Sequence, residues 1–326
     1  MPAVVRATLD SADGFDELAG YLSSAPGRVV VTGNGAAYYA GMTLWLASLQ
    51  SPAAAQHIVV APAGVVCGQA FRWRPDDTVL VVSSSGELRD VVELAAARPE
   101  LRLAVVTSSP GSSLASAADV TAGVSVQSQR AATHTQAYAA NVAALLAVWA
   151  RVTDDSTLGA AVDESPAACQ QAQERAVHWV DGAAGSVGDV TAGVAFGSDA
   201  GWAAAMEAAL LLKEVARLPV EGMDTREGGT TGMYALGAQH LALSLPTGPA
   251  DRLLTEAENT CRRAGATVLT TPTAGIADAR LAALTTFAPA AALATVLGLR
   301  AGHDVDSPAW TDAYYATARV SAEEQQ

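Results

Sequence analysis

The chain has 326 residues, half of them apolar, and a formal net charge of -14. That length points to two domains or one large one with sizeable cores. The acidic balance argues against DNA, RNA or anionic membrane as partner, because no basic patch offsets it.

Cys67, Cys169 and Cys261 lie far apart with no CxxC spacing, and read as free thiols in a reducing compartment. The first residues lack a basic segment followed by an apolar one, and no apolar run of membrane-spanning length is free of Gly, Ser or charge. The expected location is cytoplasmic.

In chain order, short β-rich runs alternate with longer helical ones. Val29–Val31 ends in Thr32-Gly33-Asn34-Gly35 and enters a helix from about Ala37 to Leu49. Val79–Val82 ends in Ser83-Ser84-Ser85-Gly86-Glu87 and enters a helix through Ala97. Leu103–Val106 ends in Thr107-Ser108-Ser109, and a long helix follows from about Ala132 to Val152. The pattern then recurs. Gly193–Phe196 ends in Gly197-Ser198-Asp199 and enters a helix ending at Lys213 and Glu214. His240–Leu245 leads through Pro246-Thr247-Gly248 to a helix through Arg263; Thr267–Thr270 is a further strand, and Leu281–Leu299 a further helix.

Uninterrupted apolar strands between helices predict parallel sheets covered on both faces. The expected division is an N-terminal segment 1–20, a first α/β domain 21–152, a helical connection 153–186 and a second α/β domain 187–326 with a C-terminal tail. A duplicated α/β unit invites a ligand site between the halves, at the carboxyl ends of the strands.

Gly33-Asn34-Gly35 and Ser83-Ser84-Ser85-Gly86 both follow strands and open helices, where backbone N–H groups face outward at the positive helix end. Ser108 and its neighbours could close the same pocket. The expected ligand is therefore anionic: a phosphate, sulfonate or carboxylate. Neither the dinucleotide fingerprint nor a Walker-type Gly-Lys-Ser/Thr is present, since Tyr38 stands where a third Gly would fall and the only lysine, Lys213, follows Leu212.

Four stretches carry a resemblance to the sugar isomerase (SIS) domain family: Val31–Tyr38 (VTGNGAAY), Val82–Glu87 (VSSSGE), Ala205–Glu214 (AMEAALLLKE) and Gly302–Pro308 (GHDVDSP). The chain resembles two tandem SIS domains, like the isomerase half of glucosamine-6-phosphate synthase and the fructosamine-6-phosphate deglycases. The resemblance implies an α/β fold of two flavodoxin-like domains, each a parallel sheet sandwiched by helices. It implies that Glu214 is the base that moves a proton between C1 and C2 of an open sugar. Glu207, two helical turns earlier, projects from the same face, whereas Lys213 lies about 100° round the helix.

It further implies that the glycine-rich segment Asp224–Gly232 lines a site shared across a homodimer. There Arg226 could clamp an anion and Glu227 could act as a second acid or base. His134, near the start of the helix that ends at Val152, lies in a stretch that lines the sugar pocket. The departures matter as much. The family's loop hydroxyls fall on Ala36, Ala37 and Leu88, its ring-opening histidine on Thr230, and its C-terminal lysine near Ala313. His134 is the candidate replacement for that histidine.

The expected function is aldose–ketose isomerisation of an anionic hexose derivative, a sugar phosphate or a sulfosugar such as sulfoquinovose. Deglycase or lyase chemistry and non-catalytic sugar-phosphate binding remain the alternatives. The expected binding set is Gly33, Asn34, Gly35, Ser83, Ser84, Ser85, Glu87, Ser108, Glu207, Lys213, Arg226 and Thr230, with Glu214, Glu227 and His134 catalytic. No cofactor and no metal are expected, since no His or Cys cluster has ligand spacing.

Overall fold

The computed structural model describes residues 1–51, 57–126, 133–248, 251–273, 275, 278–306 and 318–320. Ala313 and part of the Gly302–Pro308 stretch lie outside them. The chain divides into two compact units. Counting only described residues within these bounds, the N-terminal unit holds 3–129, 136–163 and 309–326, and the C-terminal unit holds 1–2, 130–135 and 164–308.

The N-terminal unit opens with α1 (Pro2–Ser11) and α2 (Phe15–Ser23). It continues through β1 (Arg28–Thr32), α3 (Ala36–Leu49), β2 (His57–Val60), α4 (Ala63–Val66) and β3 (Thr78–Val82). Then come α5 (Arg89–Ala97), β4 (Arg102–Thr107), α6 (Ser113–Ala117), β5 (Val120–Gly123) and α7 (Thr135–Val152). Its five strands are all parallel, in the order β2-β1-β3-β4-β5. This is the doubly wound order of flavodoxin-like sheets. Val30, paired with Val79, is fully buried, as are Val29, Val31 and Leu80. Each such side chain contributes about 1.5–3 kcal/mol by leaving water. Burial on both faces is why the central strands read as unbroken apolar runs.

The helix α8 (Ser156–Ser186) follows, and its residues from 164 onward belong to the C-terminal unit. That unit continues with β6 (Ala192–Gly197), α9 (Ala200–Glu214), β7 (Val220–Asp224), α10 (Thr225–Thr230) and a 3₁₀ turn, Gly232–Ala235. It ends with β8 (His240–Ser244), α11 (Arg252–Arg263), β9 (Thr267–Thr270), a second 3₁₀ turn at Ala279–Leu281, α12 (Ala282–Thr285) and α13 (Phe287–Arg300). Its four parallel strands run β7-β6-β8-β9. Taken from β6 onward, this repeats the first four places of the N-terminal sheet. On α11, Leu254, Ala257 and Cys261 form one apolar stripe that packs on Val194, Phe196 and Ala242.

Three strands went unread in the sequence: β2, β5 and β7. All are sheet edges, and β7 reads Val-Glu-Gly-Met-Asp with only Val220 buried. An edge strand needs no continuous apolar run, so it leaves a weak signal. The stretch Leu281–Leu299, expected as one helix, is broken at Thr286. Pro289 lacks an N–H for the carbonyl four residues back and its ring clashes there, which fits a helix start and not a helix interior. The window Ala279–Arg300 is apolar and long enough to cross a membrane, but it is mostly buried inside the protein.

Candidate active site

The N-terminal unit brings together the expected anion loops at the carboxyl ends of β1, β3 and β4. The turn after β1 depends on two glycines. A Cβ on Gly33 would lie 2.7 Å from the Val82 carbonyl oxygen. Gly35 has φ 52°, ψ −129°, a conformation open essentially to glycine alone. No side chain caps α3, so its first backbone N–H groups carry no side-chain acceptor.

After β3, the buried Ser83 donates its N–H to the Val106 carbonyl, and its hydroxyl accepts from the Gly86 N–H at 3.1 Å. Gly86 has φ 67°, and a Cβ there would lie 1.9 Å from the Ser112 hydroxyl. The Glu87 N–H donates to the Ser85 hydroxyl at 3.3 Å. Leu88 sits at the N-cap of α5 without a capping bond, so this second helix start is also uncapped.

Two expectations change here. The hydroxyls of Thr107, Ser108 and Ser109 donate to one acceptor, the Ser84 carbonyl, at 3.2, 2.8 and 3.1 Å. A hydroxyl has one proton to give, so in this arrangement Ser108 braces the Ser84 loop and offers no donor to an anion. The Glu87 carboxylate accepts the Ser113 N–H at 2.9 Å and so caps the start of α6. It holds protein, and its charge would repel an anion. The donors left for a ligand are the backbone N–H groups of Gly33–Gly35, Ser84, Ser85 and Leu88, with the side chains of Asn34, Ser84 and Ser85.

The C-terminal unit brings together Glu207, Lys213, Glu214 and the segment that holds Thr133 and His134. α9 packs closely on β7: a Cβ on Gly222 would lie 2.8 Å from the Met206 Cα. Glu207 is 1% exposed, and neither of its carboxyl oxygens has a partner among the described residues. Burial, and secondly the nearby Glu214 charge, push its pKa well above the ordinary carboxylate range. Burial without a partner favours the protonated form of Glu207.

Glu214 is half-buried. Burial raises its pKa, while a hydrogen bond from the Thr133 hydroxyl and the Lys213 charge pull it back. Lys213 is exposed at the end of α9, where a cation also suits the helix dipole. Thr133 is the residue that sequence reasoning left without a role. It lies far from Glu214 in the chain, and no local pattern signals that pairing.

α10 carries the remaining candidates, all exposed. Asp224 caps it by accepting from the Arg226 and Glu227 N–H groups. The Glu227 carboxylate accepts from the Thr231 hydroxyl at 2.6 Å, and the Thr230 hydroxyl donates to the Arg226 carbonyl at 2.7 Å. Thr230, with its proton committed to the helix, does not replace an acid–base histidine. Among the described residues no group of three His, Cys, Asp or Glu is placed to hold a metal ion.

Residues 21–153 match the family model for the SIS domain. No curated protein sequence matches the chain. Among solved structures, the chain is similar to a protein from Silicibacter pomeroyi DSS-3, described provisionally as a phosphosugar isomerase. That match has 21% identity and a TM-score of 0.81, covering 94% of this chain and 97% of that one. The C-terminal domain of glucosamine-fructose-6-phosphate aminotransferase from Francisella tularensis matches with 18% identity and a TM-score of 0.79, covering 94% and 95%. Tagatose-6-phosphate ketose/aldose isomerase from Escherichia coli matches with 18% identity and a TM-score of 0.73, covering 94% and 92%. At such identities the likeness establishes the fold and not the reaction.

Proposed function

On the premise that this chain carries a SIS domain over residues 21–153 within a phosphosugar-isomerase-like fold, we propose that it is an aldose–ketose isomerase of an anionic hexose derivative. The carrying observation is the Glu207–Glu214 pair. Two carboxyls on one helix face differ in environment: Glu207 is fully buried with its pKa pushed well above the ordinary carboxylate range, and Glu214 is half-buried with burial raising its pKa and Thr133 and Lys213 pulling it back. Exchange of an aldose and a ketose removes a proton α to the carbonyl and returns it to the neighbouring carbon through an enediol. One carboxylate can do both steps if its basicity is matched to neutral pH. Burial raises the pKa of Glu214 in that direction.

The loops after β1 and β3 hold the anion in this reading. Their donors are mostly backbone N–H groups at the starts of α3 and α5, because Ala36, Ala37 and Leu88 supply no hydroxyl. A reduced donor set suits a singly charged sulfonate, such as that of sulfoquinovose, as well as a weakly held phosphate. His134 serves as the ring-opening acid, and Arg226 and Glu227 act from α10. The protein works as a homodimer, for which Tyr234, 85% exposed, offers apolar surface to cover.

Deglycase or lyase chemistry starts with the same proton abstraction and shares this machinery. A non-catalytic sugar-phosphate binder is favoured by one observation, the bound and chemically idle Thr230. Proton NMR in D₂O on glucose-6-phosphate, fructose-6-phosphate, glucosamine-6-phosphate and sulfoquinovose separates these. Deuterium entry at C2 of one sugar, with ketose formed, is the expected result. Binding of one sugar with no exchange in any would leave the binder.

A further inference from the structure

We infer that Val320 is a positioning residue for the anion cradle: its backbone N–H sets the direction of the Leu88 N–H that meets the ligand. The inference rests on the reading of the loops after β1 and β3 as the anion site. The segment Ala318–Val320 groups with the N-terminal unit, although β6 to α13 before it belong to the C-terminal one. There Arg319 pairs antiparallel with Leu88 in an isolated bridge. The Val320 N–H donates to the Glu87 carbonyl at 3.1 Å, and the Arg89 guanidinium donates to the Arg319 carbonyl at 2.9 Å. These contacts fasten the end of the chain to the stretch Glu87–Arg89, where the second anion loop passes into α5.

The geometry of one peptide group gives the consequence. The Glu87 carbonyl and the Leu88 N–H belong to the same planar unit, and among the described residues no peptide bond is cis. In a trans peptide the two groups point to opposite sides. Holding the carbonyl to Val320 therefore aims the Leu88 N–H away from the C-terminal segment. That N–H is one of the donors left for a ligand at the uncapped start of α5. A hydrogen bond accepted by the carbonyl also polarises the N–H of the same peptide and strengthens it as a donor.

The side chains nearby make this aim matter. Leu88 brings no hydroxyl to the helix start, so its backbone N–H is what the position can offer an anion. Arg89, the first residue of α5, adds a cation beside that start. The Arg319 carbonyl holds it, so the segment that aims the N–H also fixes this guanidinium. The Glu87 carboxylate accepts the Ser113 N–H. Glu87 is thus anchored twice, by Ser113 through its side chain and by Val320 through its main chain.

The test uses Val320→Pro, which removes the N–H, and Val320→Ala, which keeps it, each in the full chain. Two readouts are taken. The first is a titration with inorganic phosphate or sulfate, followed through the ¹⁵N-labelled backbone amides of the two loops, Leu88 among them. The second is the split between KM and kcat for C2 exchange in the sugar panel. In the parent the anion should move the Leu88 amide signal. Val320→Pro should lose that response and bind the anion about 3- to 10-fold more weakly, the scale of one hydrogen bond. Its KM should rise by the same factor at unchanged kcat, and Val320→Ala should match the parent throughout. Equal affinity and an equal Leu88 response in Val320→Pro and the parent overturn the inference, as do equal losses in the Pro and Ala variants. An anion that moves other loop amides in the parent and leaves Leu88 unmoved overturns it alone. If neither anion moves any loop amide in the parent, the anion reading fails and the inference with it. If no sugar exchanges, the isomerase reading fails, and the amide titration still decides Val320. If Val320→Pro does not fold, a chain shortened to end at Thr317 takes its place in both readouts.

Discussion

The turn after β1 and the turn after β6 have the same backbone and different side chains. Gly35 sits at φ 52°, ψ −129°, and Asp199 at φ 48°, ψ −127°; each directly precedes the first residue of its helix. Gly33 and Gly197 both crowd a carbonyl oxygen on the neighbouring strand, that of Val82 in one sheet and Leu245 in the other. The difference begins at the next helix. In the N-terminal unit Leu88 leaves α5 uncapped, whereas in the C-terminal unit the Asp251 carboxylate caps α11 and accepts from the Ser198 hydroxyl at 2.7 Å.

A carboxylate of the protein thus sits where an anion would otherwise find donors. Thr247 and Gly248 stand where Ser84 and Ser85 stand in the first sheet. One backbone plan leaves α5 uncapped in one half and caps α11 with a carboxylate in the other. The C-terminal half instead places its carboxyls on α9. The lesson is that the duplicated geometry is a scaffold, and the side chains at its helix starts decide which of those starts is left uncapped.

Substitutions can break this comparison. Gly86→Ala puts a Cβ into the Ser112 hydroxyl at a positive φ, and should cost about 1–3 kcal/mol or more together with anion affinity. Gly248→Ala, in the matching loop, has nothing within 4 Å and should change stability by less than about 0.5 kcal/mol. Thermal melting with and without sugar phosphate checks both. A tolerated Gly86→Ala would mean that the loop is not the built cradle described above.

Glu207 makes stability depend on pH. Its folded pKa lies above the unfolded carboxylate value, so the folded state holds a proton that the unfolded state loses. Stability therefore falls as pH rises from the unfolded value toward the raised folded one. Glu207→Gln should melt higher than the parent at pH 8, with the advantage shrinking toward pH 4. Parallel pH dependence in the two proteins would contradict the raised pKa of Glu207.

The remaining effects are smaller. Asp251→Ala removes a helix cap, which should cost about 1 kcal/mol, and it should leave C2 exchange unchanged. Asp199→Gly relieves the positive φ and should stabilise by about 1 kcal/mol. Urea titrations read both. A destabilised Asp199→Gly would show that the aspartate side chain has an attractive role that offsets its strain.

Much of this was legible before the structure. Val29–Val31, Val79–Val82 and Gly193–Phe196 announce central parallel strands, because two buried faces demand continuous apolar residues. The glycines of the β1 turn announce a helix start that a backbone must approach closely. Three of the four edge strands did not show, since an edge accepts Glu221 as readily as an apolar residue. Thr107, Ser108 and Ser109 were legible as polar loop residues, but not as three donors converging on the Ser84 carbonyl. The Glu207–Glu214 spacing on one helix was legible in the sequence, and a base role for Glu214 is what the family resemblance implies. Thr133 was not readable, because a contact between distant chain segments leaves no periodic trace.

The central claim is that Glu214 carries the proton between C1 and C2. The direct measurement is the rate of deuterium entry at C2 in D₂O for the parent protein and for Glu214→Gln, each at saturating sugar with the affinity measured in parallel. The account predicts a loss of at least 10²–10⁴-fold in exchange at nearly unchanged affinity. Equal exchange in the two proteins would remove Glu214 from the chemistry and contradict the account.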